Sequence, residues 1–153
     1  MVRVQAEPFD PAAELAAFAR GRTDVGGIAT FLGLVRDEHG GERVSAMTLE
    51  HYPGMTERKL AEIEHEARAR WPDLQDTLVI HRHGRMLPGE PIVLVATASA
   101  HRQAALDACA FLIDWLKTKA PFWKLEETGG DERWVEARAS DDQAAARWER
   151  QAP

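Results

Sequence analysis

Apolar and polar positions alternate along the chain in two periods, one typical of helices and one typical of strands. A long amphipathic helix is predicted by an apolar stripe that recurs every three or four residues, namely Leu60, Ile63, Ala67 and Trp71. The same spacing predicts a second long helix from about His101 to Lys119, which Pro121 stops. Two shorter helices are indicated, one after the cap formed by Asp10-Pro11 and one over 141–150.

Apolar or alternating runs between these helices predict strands. The runs are Gly26–Val35, Val44–Tyr52, Thr77–His83, Ile92–Ala98, Phe122–Glu127 and Arg133–Ala137. Since the strands come in pairs between helices, their order favours an α+β fold with a largely antiparallel sheet over a doubly wound parallel one. The chain also lacks the glycine-rich strand-to-helix turn typical of nucleotide-binding folds. We expect residues 1–153 to form a single domain.

Composition narrows the class of protein. A chain of 153 residues with 44% apolar and 29% charged residues has the balance of a globular protein with its own core. No apolar run reaches the roughly 18 residues that a membrane span requires, and the first residues lack the apolar stretch of a secretory signal. The single cysteine, Cys109, excludes an internal disulfide and fits a reducing compartment. We therefore expect a cytoplasmic protein.

Charge is distributed unevenly along the chain. The formal net charge is −6, which argues against general binding to nucleic acids. From Ser99 to Leu125, however, four Lys or Arg residues stand against two Asp residues, so this segment carries +2 and the remainder −8. A positive segment in an acidic protein indicates a small anionic ligand or an acidic partner tail.

The positive segment holds two groups of candidate residues. Ser99 to Arg102 join the end of an apolar strand to the start of a helix, where free N–H groups and the Arg102 guanidinium can hold a phosphate. Lys117 lies in the last turn of that helix, and Lys124 lies in a strand among large apolar residues. Apolar surroundings lower the pKa of a lysine, which suits an amine for base or covalent chemistry. Ordinary solvated or helix-stabilising roles explain the same residues and stay open.

The remaining candidates carry less information on their own. Arg36 follows one strand end and Arg138 follows another, so each either reaches a ligand from a loop or is simply solvated. His81 and His83 share one face of a strand, but two imidazoles without a further ligand do not complete a metal site. Cys109 falls on the apolar stripe of its helix, which indicates a small buried side chain. We predict no metal and no cofactor.

Five blocks of sequence, in order, resemble the catalytic large subunit of molybdopterin synthase. They are Phe31–Arg36, Leu49–Glu57, Ser99–Arg102, Leu116–Lys124 and Arg133–Arg138. The resemblance implies an α+β fold with an α/β-hammerhead element and a homodimer of large subunits. It also implies that each large subunit binds one small ubiquitin-like subunit, which gives a heterotetramer.

The same resemblance implies a sulfurtransferase. In this family the small subunit's C-terminal Gly-Gly tail carries a thiocarboxylate, and two sulfur transfers convert cyclic pyranopterin monophosphate into molybdopterin with its dithiolene. By match to the family's motifs, Lys117 is placed at the thiocarboxylate and Lys124 beside it as a second catalytic lysine.

Four further residues match substrate-binding positions of the family. Arg36, His101 and Arg102 correspond to residues that hold the substrate, chiefly its phosphate, and Arg138 corresponds to a further arginine of the pocket. Lys119 stands where the family has arginine, which keeps the charge but loses the bidentate fork. Whether some of these residues come from the second protomer stays open at this point.

Three other functions remain as alternatives. A non-catalytic module that captures a ubiquitin-like tail would not need the lysine pair together with His101-Arg102. A phosphate-binding enzyme unrelated to this cofactor would explain the positive segment but not the five blocks. A nucleic-acid binder is disfavoured because the net charge has the wrong sign, and because aromatic and basic residues do not interleave beyond Phe122-Trp123-Lys124.

Overall fold

The computed structural model describes residues 1–135 and 138–150, which form ten strands and four helices. In chain order the elements are β1 (Val2–Gln5), α1 (Pro11–Ala19), β2 (Gly27–Leu34), β3 (Glu38–His39), β4 (Glu42–Arg43), β5 (Ala46–His51), α2 (Met55–Arg70), β6 (Leu74–Arg82), β7 (Gly84–Met86), β8 (Pro91–Ser99), α3 (Arg102–Lys119), β9 (Phe122–Thr128), β10 (Asp131–Val135) and α4 (Ala139–Arg150).

Two four-stranded sheets and one short hairpin make up the β structure of these residues. The first sheet has the order β1-β6-β8-β2, the second has the order β10-β9-β5-β7, and β3 pairs with β4. β1 and β6 run parallel, while the other pairs are antiparallel. The prediction of an α+β fold with largely antiparallel strands is confirmed.

Local signals in the sequence explain where the helices begin and which face they bury. Asp10 caps α1, because its Oδ1 accepts hydrogen bonds from the N–H groups of Ala12 and Ala13 at 3.0 and 3.2 Å. The stripe predicted for α2 is confirmed for Leu60, Ile63 and Ala67, which are buried, whereas Trp71 is the C-cap of the helix and is half-buried. Among the described residues, no helix is both long and apolar enough to cross a lipid bilayer.

The main core lies between α3 and one face of the first sheet. Phe111 and Leu112 of α3 are almost fully buried there, together with Val95 of β8. The opposite face of the sheet packs against α1, through Phe18 and the side chain of Leu94. Because β8 leads into α3 and α3 turns back over the sheet, the helix runs antiparallel to β8 and therefore in the same direction as β2. The carboxyl ends of α3 and β2 thus lie at one end of the molecule.

The second sheet is joined to the first through an aromatic contact. Phe122 of β9 stacks on His81 of β6, with ring centroids 3.9 Å apart and an angle of 16° between the planes. Phe122 also packs beside a small apolar cluster that contains Val35, Met47 and Leu49. This contact fixes the start of β9 against the first sheet.

Several details differ from the sequence prediction. β1 was not predicted, because a four-residue strand shows little periodicity and its partner, β6, is distant in the sequence. Helix α3 begins at Arg102 with His101 as its N-cap. Ser99 is the last residue of β8; its Oγ donates to the Asp73 carbonyl oxygen at 3.1 Å and accepts a 3.4 Å bond from the His101 N–H. The last strand is Asp131–Val135, and the predicted end at Ala137 lies outside the described residues.

Candidate active site

Lys124 lies in the middle of β9 with its side chain on the inner face of the second sheet. It pairs with Leu49 of β5 and shares a face of the strand with Phe122 and Glu126, which alternate with it along β9. The residue keeps solvent access, yet protein atoms surround its amine. This partial burial is the main cause of a pKa below the ordinary value for lysine.

Two neighbouring cations lower the pKa of Lys124 further. They are Lys117, in the last turn of α3, and Arg138, just before α4. The carboxylates of Asp141 and Glu126 raise the same pKa, but they do not offset the burial and the two positive charges. The structure therefore brings Lys117, Lys124 and Arg138 together where α3, β9 and the start of α4 meet. A cluster of this kind can hold an anion and keep one amine ready to accept a proton.

Lys119, two residues after Lys117, has a different environment. Its Nζ lies 3.0 Å from Glu149 Oε1 of α4 and 4.7 Å from the centroid of the Trp115 ring. These contacts tie α4 to α3. Lys119 is therefore engaged in packing, whereas Lys117 is exposed at the candidate site.

Arg36 lies at the same end of the molecule as the lysines. It follows β2, and the preceding residue, Val35, packs on Leu49, the strand partner of Lys124. Arg36 also lines an open surface groove of about 700 Å³, whose other residues are Leu34, Val35, Asp37, Glu38, Gly40, Pro88 and Gly89. The two lysines do not line this groove.

His101 and Arg102 lie at the opposite end of β2. Gly26 and Gly27 sit against the start of α3, and a Cβ on Gly26 would come within 2.1 Å of the Ala100 carbonyl oxygen. β2 is eight residues long, so this end lies about 25 Å from Arg36. Along α3 the rise from Arg102 to Lys117 is about 22 Å. One copy of the chain therefore does not bring His101 and Arg102 to the lysines or to Arg36.

The histidines and the cysteine occupy environments that explain their chemistry. His81 is buried, and burial is the main cause that lowers its pKa to about 4. His83 contacts the ring of His51, with centroids 4.3 Å apart. Cys109 is buried as predicted, and burial raises the pKa of its thiol to about 11. His81 thus serves as a neutral packing surface for Phe122, and Cys109 is an inert thiol.

Sequence reasoning missed the acidic residues around the lysines. Glu126 is buried on the Lys124 face of β9, and Asp141 lies in the first turn of α4. The alternation of β9 could have indicated Glu126, because it stands two residues after Lys124. Nothing local indicates Asp141, which reaches the site only because α4 folds back onto α3.

Comparison with known proteins agrees with this fold. Residues 4–119 match the family model described as MoaE protein. The molybdopterin synthase catalytic subunit of Mesorhizobium japonicum is 56% identical over 149 residues, which cover 96% of this chain and 92% of that protein. A molybdopterin biosynthesis MoaE protein from Burkholderia ambifaria has a solved structure with a TM-score of 0.82, 50% identity and 97% coverage of each chain.

A more distant structure shows the same fold. It comes from a protein-protein complex of subunits 1 and 2 of the molybdopterin-converting factor of Helicobacter pylori, with a TM-score of 0.75 and 19% identity over 90% of this chain and 91% of that chain. The family model and the near relatives decide the assignment. The chain belongs to the MoaE family of molybdopterin synthase catalytic subunits.

Proposed function

We propose that this chain transfers sulfur from the C-terminal thiocarboxylate of a small ubiquitin-like subunit to cyclic pyranopterin monophosphate, and so forms the dithiolene of molybdopterin. The observation that carries the proposal is the cluster of Lys117, Lys124 and Arg138 in a chain of net charge −6. Both the tail and the substrate are anions, and this cluster is suited to attract and hold them.

The two lysines have different roles in the proposed reaction. Lys117, exposed at the end of α3, neutralises the thiocarboxylate of the incoming tail. Lys124 has the lowered pKa, so its neutral amine is the better proton acceptor at neutral pH. In each transfer the thiocarboxylate sulfur forms a bond to a substrate carbon, while the bond from that carbon to an oxygen substituent breaks and the oxygen leaves with the bonding electron pair and takes up a proton. Water then cleaves the bond between that sulfur and the tail's carbonyl carbon, and the tail leaves as a carboxylate.

The sulfur arrives on the partner, so the chain needs no reactive thiol. Its one cysteine is buried, and the raised pKa of the thiol keeps it protonated at neutral pH. A free thiol of this kind suits the cytoplasm, where we place the protein. The Helicobacter pylori complex of two subunits supports a small-subunit partner for this chain as well.

We further propose that two copies of the chain pair through β2. This strand is an edge of the first sheet and exposes Phe31, Leu32 and Leu34. Alternate residues of a strand point to opposite faces, so the edge is apolar on both sides. A second copy offers the same edge, and antiparallel pairing about a two-fold axis would cover both. With one small subunit on each copy, the assembly is a heterotetramer.

Pairing of this kind would complete the active site. A two-fold axis perpendicular to the sheet places the start of one β2 beside the end of the other and keeps both α3 helices on the same face. His101 and Arg102 of the partner subunit then approach Lys117 and Arg36 of the first copy. We propose that these partner residues and Arg36 hold the substrate phosphate beside the lysines.

Reconstitution tests the proposed function. The chain is mixed with a small subunit that carries a C-terminal thiocarboxylate and with cyclic pyranopterin monophosphate, and the dithiolene product is measured. We expect product from the wild type and none above background from Lys117→Ala, with the melting temperature and small-subunit binding unchanged. Lys59→Ala, at an exposed lysine of α2, is the matched control and should be fully active. Binding of the tail without any product would favour the non-catalytic module instead.

A further inference from the structure

The short hairpin of β3 and β4, which follows Arg36, is fastened to β9 by a buried carboxylate. Glu126 is only 8% exposed, and its Oε1 lies 2.7 Å from Nδ1 of His39 at the end of β3. A carboxylate only accepts hydrogen bonds, so the His39 ring donates through Nδ1. A hydrogen bond to a charged, buried acceptor is among the stronger contacts that a side chain makes.

A second side chain holds the same hairpin from β10. Arg133 Nη1 lies 3.1 Å from Glu42 Oε2 of β4, and its Nη2 donates to the His39 carbonyl oxygen at 3.5 Å. The same Nη2 lies 3.9 Å from Glu126 Oε1. We call His39, Glu42, Glu126 and Arg133 the hairpin clamp. The clamp joins the hairpin to β9 and β10, the first of which carries Lys124.

The hairpin has little structure of its own to keep it in place. Each of its strands has two residues, and its tip is Gly40-Gly41, with φ of 60° and 82°. A two-stranded hairpin without a packed face is marginally stable in water. Yet this segment forms one wall of the groove that Arg36 lines, through Asp37, Glu38 and Gly40. The wall therefore depends on the clamp for its position.

Glu126, the buried carboxylate of the hairpin clamp, lies on β9, the strand that carries Lys124. Glu126 stands two residues after Lys124 on the same face of β9. Its carboxylate is close enough to raise the pKa of Lys124. One carboxylate thus contacts the segment that carries Arg36 and adjoins the amine of Lys124. Glu126 therefore links the hairpin to the strand that carries Lys124.

We propose that His39 is a positioning residue, which holds the hairpin on Glu126 and thereby sets Arg36 at the correct distance from Lys124. The role of Arg36 in holding substrate phosphate rests on the proposed function. Loss of the His39 contact should weaken the binding of the substrate without changing the chemistry of the lysines, because Lys117 and Lys124 lie on α3 and β9 rather than on the hairpin.

Steady-state kinetics of the reconstituted enzyme test this inference. We expect His39→Ala to raise the KM for cyclic pyranopterin monophosphate about tenfold, with kcat within about twofold of the wild type. His39→Asn keeps an N–H donor near the position of Nδ1 and should restore most of the wild-type KM. His65→Ala removes an exposed histidine of α2, far from the hairpin in sequence, and is the matched control.

Limited digestion with trypsin reports on the hairpin without any substrate. Cleavage after Arg43 should be about tenfold faster in His39→Ala than in the wild type or His65→Ala. An unchanged KM, a fall in kcat alone, or no rescue by asparagine would overturn the positioning role. If the wild type makes no product, the proposed function fails; unchanged cleavage after Arg43 would then overturn the clamp as well, and faster cleavage would support it.

Discussion

A site shared between two copies of the chain can be tested by mixing two inactive variants. Lys117→Ala removes a lysine from one end of α3, and Arg102→Ala removes a cation from the other end, about 22 Å away. In the proposed dimer, each site takes its lysines from one copy and its His101 and Arg102 from the other. A hybrid of the two variants therefore contains one site that lacks both side chains and one site that is intact.

The expected recovery follows from counting sites. In an equal mixture with random pairing, about half of the dimers are hybrids, and half of the sites in each hybrid are intact. Activity should therefore rise to about one quarter of the wild-type value, although each variant alone is nearly inactive. If all residues of a site came from one copy, every chain in the mixture would still carry a damaged site, and nothing would be recovered.

The assay measures dithiolene formation after the two variants have been unfolded together in urea and refolded. Hybrid dimers are purified through two different affinity tags, which confirms that pairing occurred. A mixture of Lys117→Ala with Lys124→Ala is the control, since both lysines belong to the same copy and no intact site can form. Purified Lys117→Ala and Arg102→Ala hybrids without activity, or recovery in the lysine control, would refute the shared site.

Three further predictions concern the free energy of unfolding, measured by urea titration. Between pH 6.5 and 4, His81 is protonated in the unfolded chain but stays neutral in the folded chain. The free energy of unfolding therefore falls by up to about 3 kcal/mol as the pH is lowered through this range, and His81→Leu should reduce this dependence on pH. Lys124→Met should leave stability within about 0.5 kcal/mol of the wild type or raise it, because burial and two cations disfavour the ammonium, while product formation falls about 100-fold. Gly26→Ala should lose about 2 kcal/mol, because the new Cβ meets the Ala100 carbonyl oxygen.

Each of these predictions has its own contrary result. An equally steep acid slope in His81→Leu would mean that other groups carry the pH dependence. A large loss of stability in Lys124→Met would assign that lysine to the fold rather than to the reaction. Gly27→Ala is the control for Gly26, since its Cβ would meet Arg102 at an ordinary 3.5 Å, and equal losses for the two would argue against the steric reason.

The helices could be predicted from the sequence because their signals are local. Asp10 caps α1 through N–H groups two and three residues away, and the α2 stripe recurs within a single helix. The closeness of the two lysines could also be predicted from the sequence, since Lys117 and Lys124 stand on either side of the turn at Pro121. The family motifs then assigned to them a role that composition and spacing left open.

The parts that could not be predicted depend on contacts between distant segments. The family motifs assign Arg36, His101 and Arg102 to one binding role. They do not indicate that Arg36 lies at one end of β2 while His101 and Arg102 lie at the other end. The hydrogen bond between His39 and Glu126 joins residues 87 positions apart, and the sequence around either residue does not indicate that the two are in contact. β1 was missed because a strand of four residues is too short for a clear pattern and is defined by its pairing with β6, more than 70 residues later.

The exposed edge of β2 also affects how prone the single chain is to aggregation before the proposed dimer forms. In the proposed assembly, a newly folded monomer displays free backbone donors and acceptors flanked by Phe31, Leu32 and Leu34 until a second copy binds, and such an edge is open to pairing with unrelated strands. Leu32→Lys would make the lone chain more soluble but would oppose the proposed pairing through β2. If the chain pairs as proposed, the yield of soluble protein should depend on how quickly two monomers meet after synthesis.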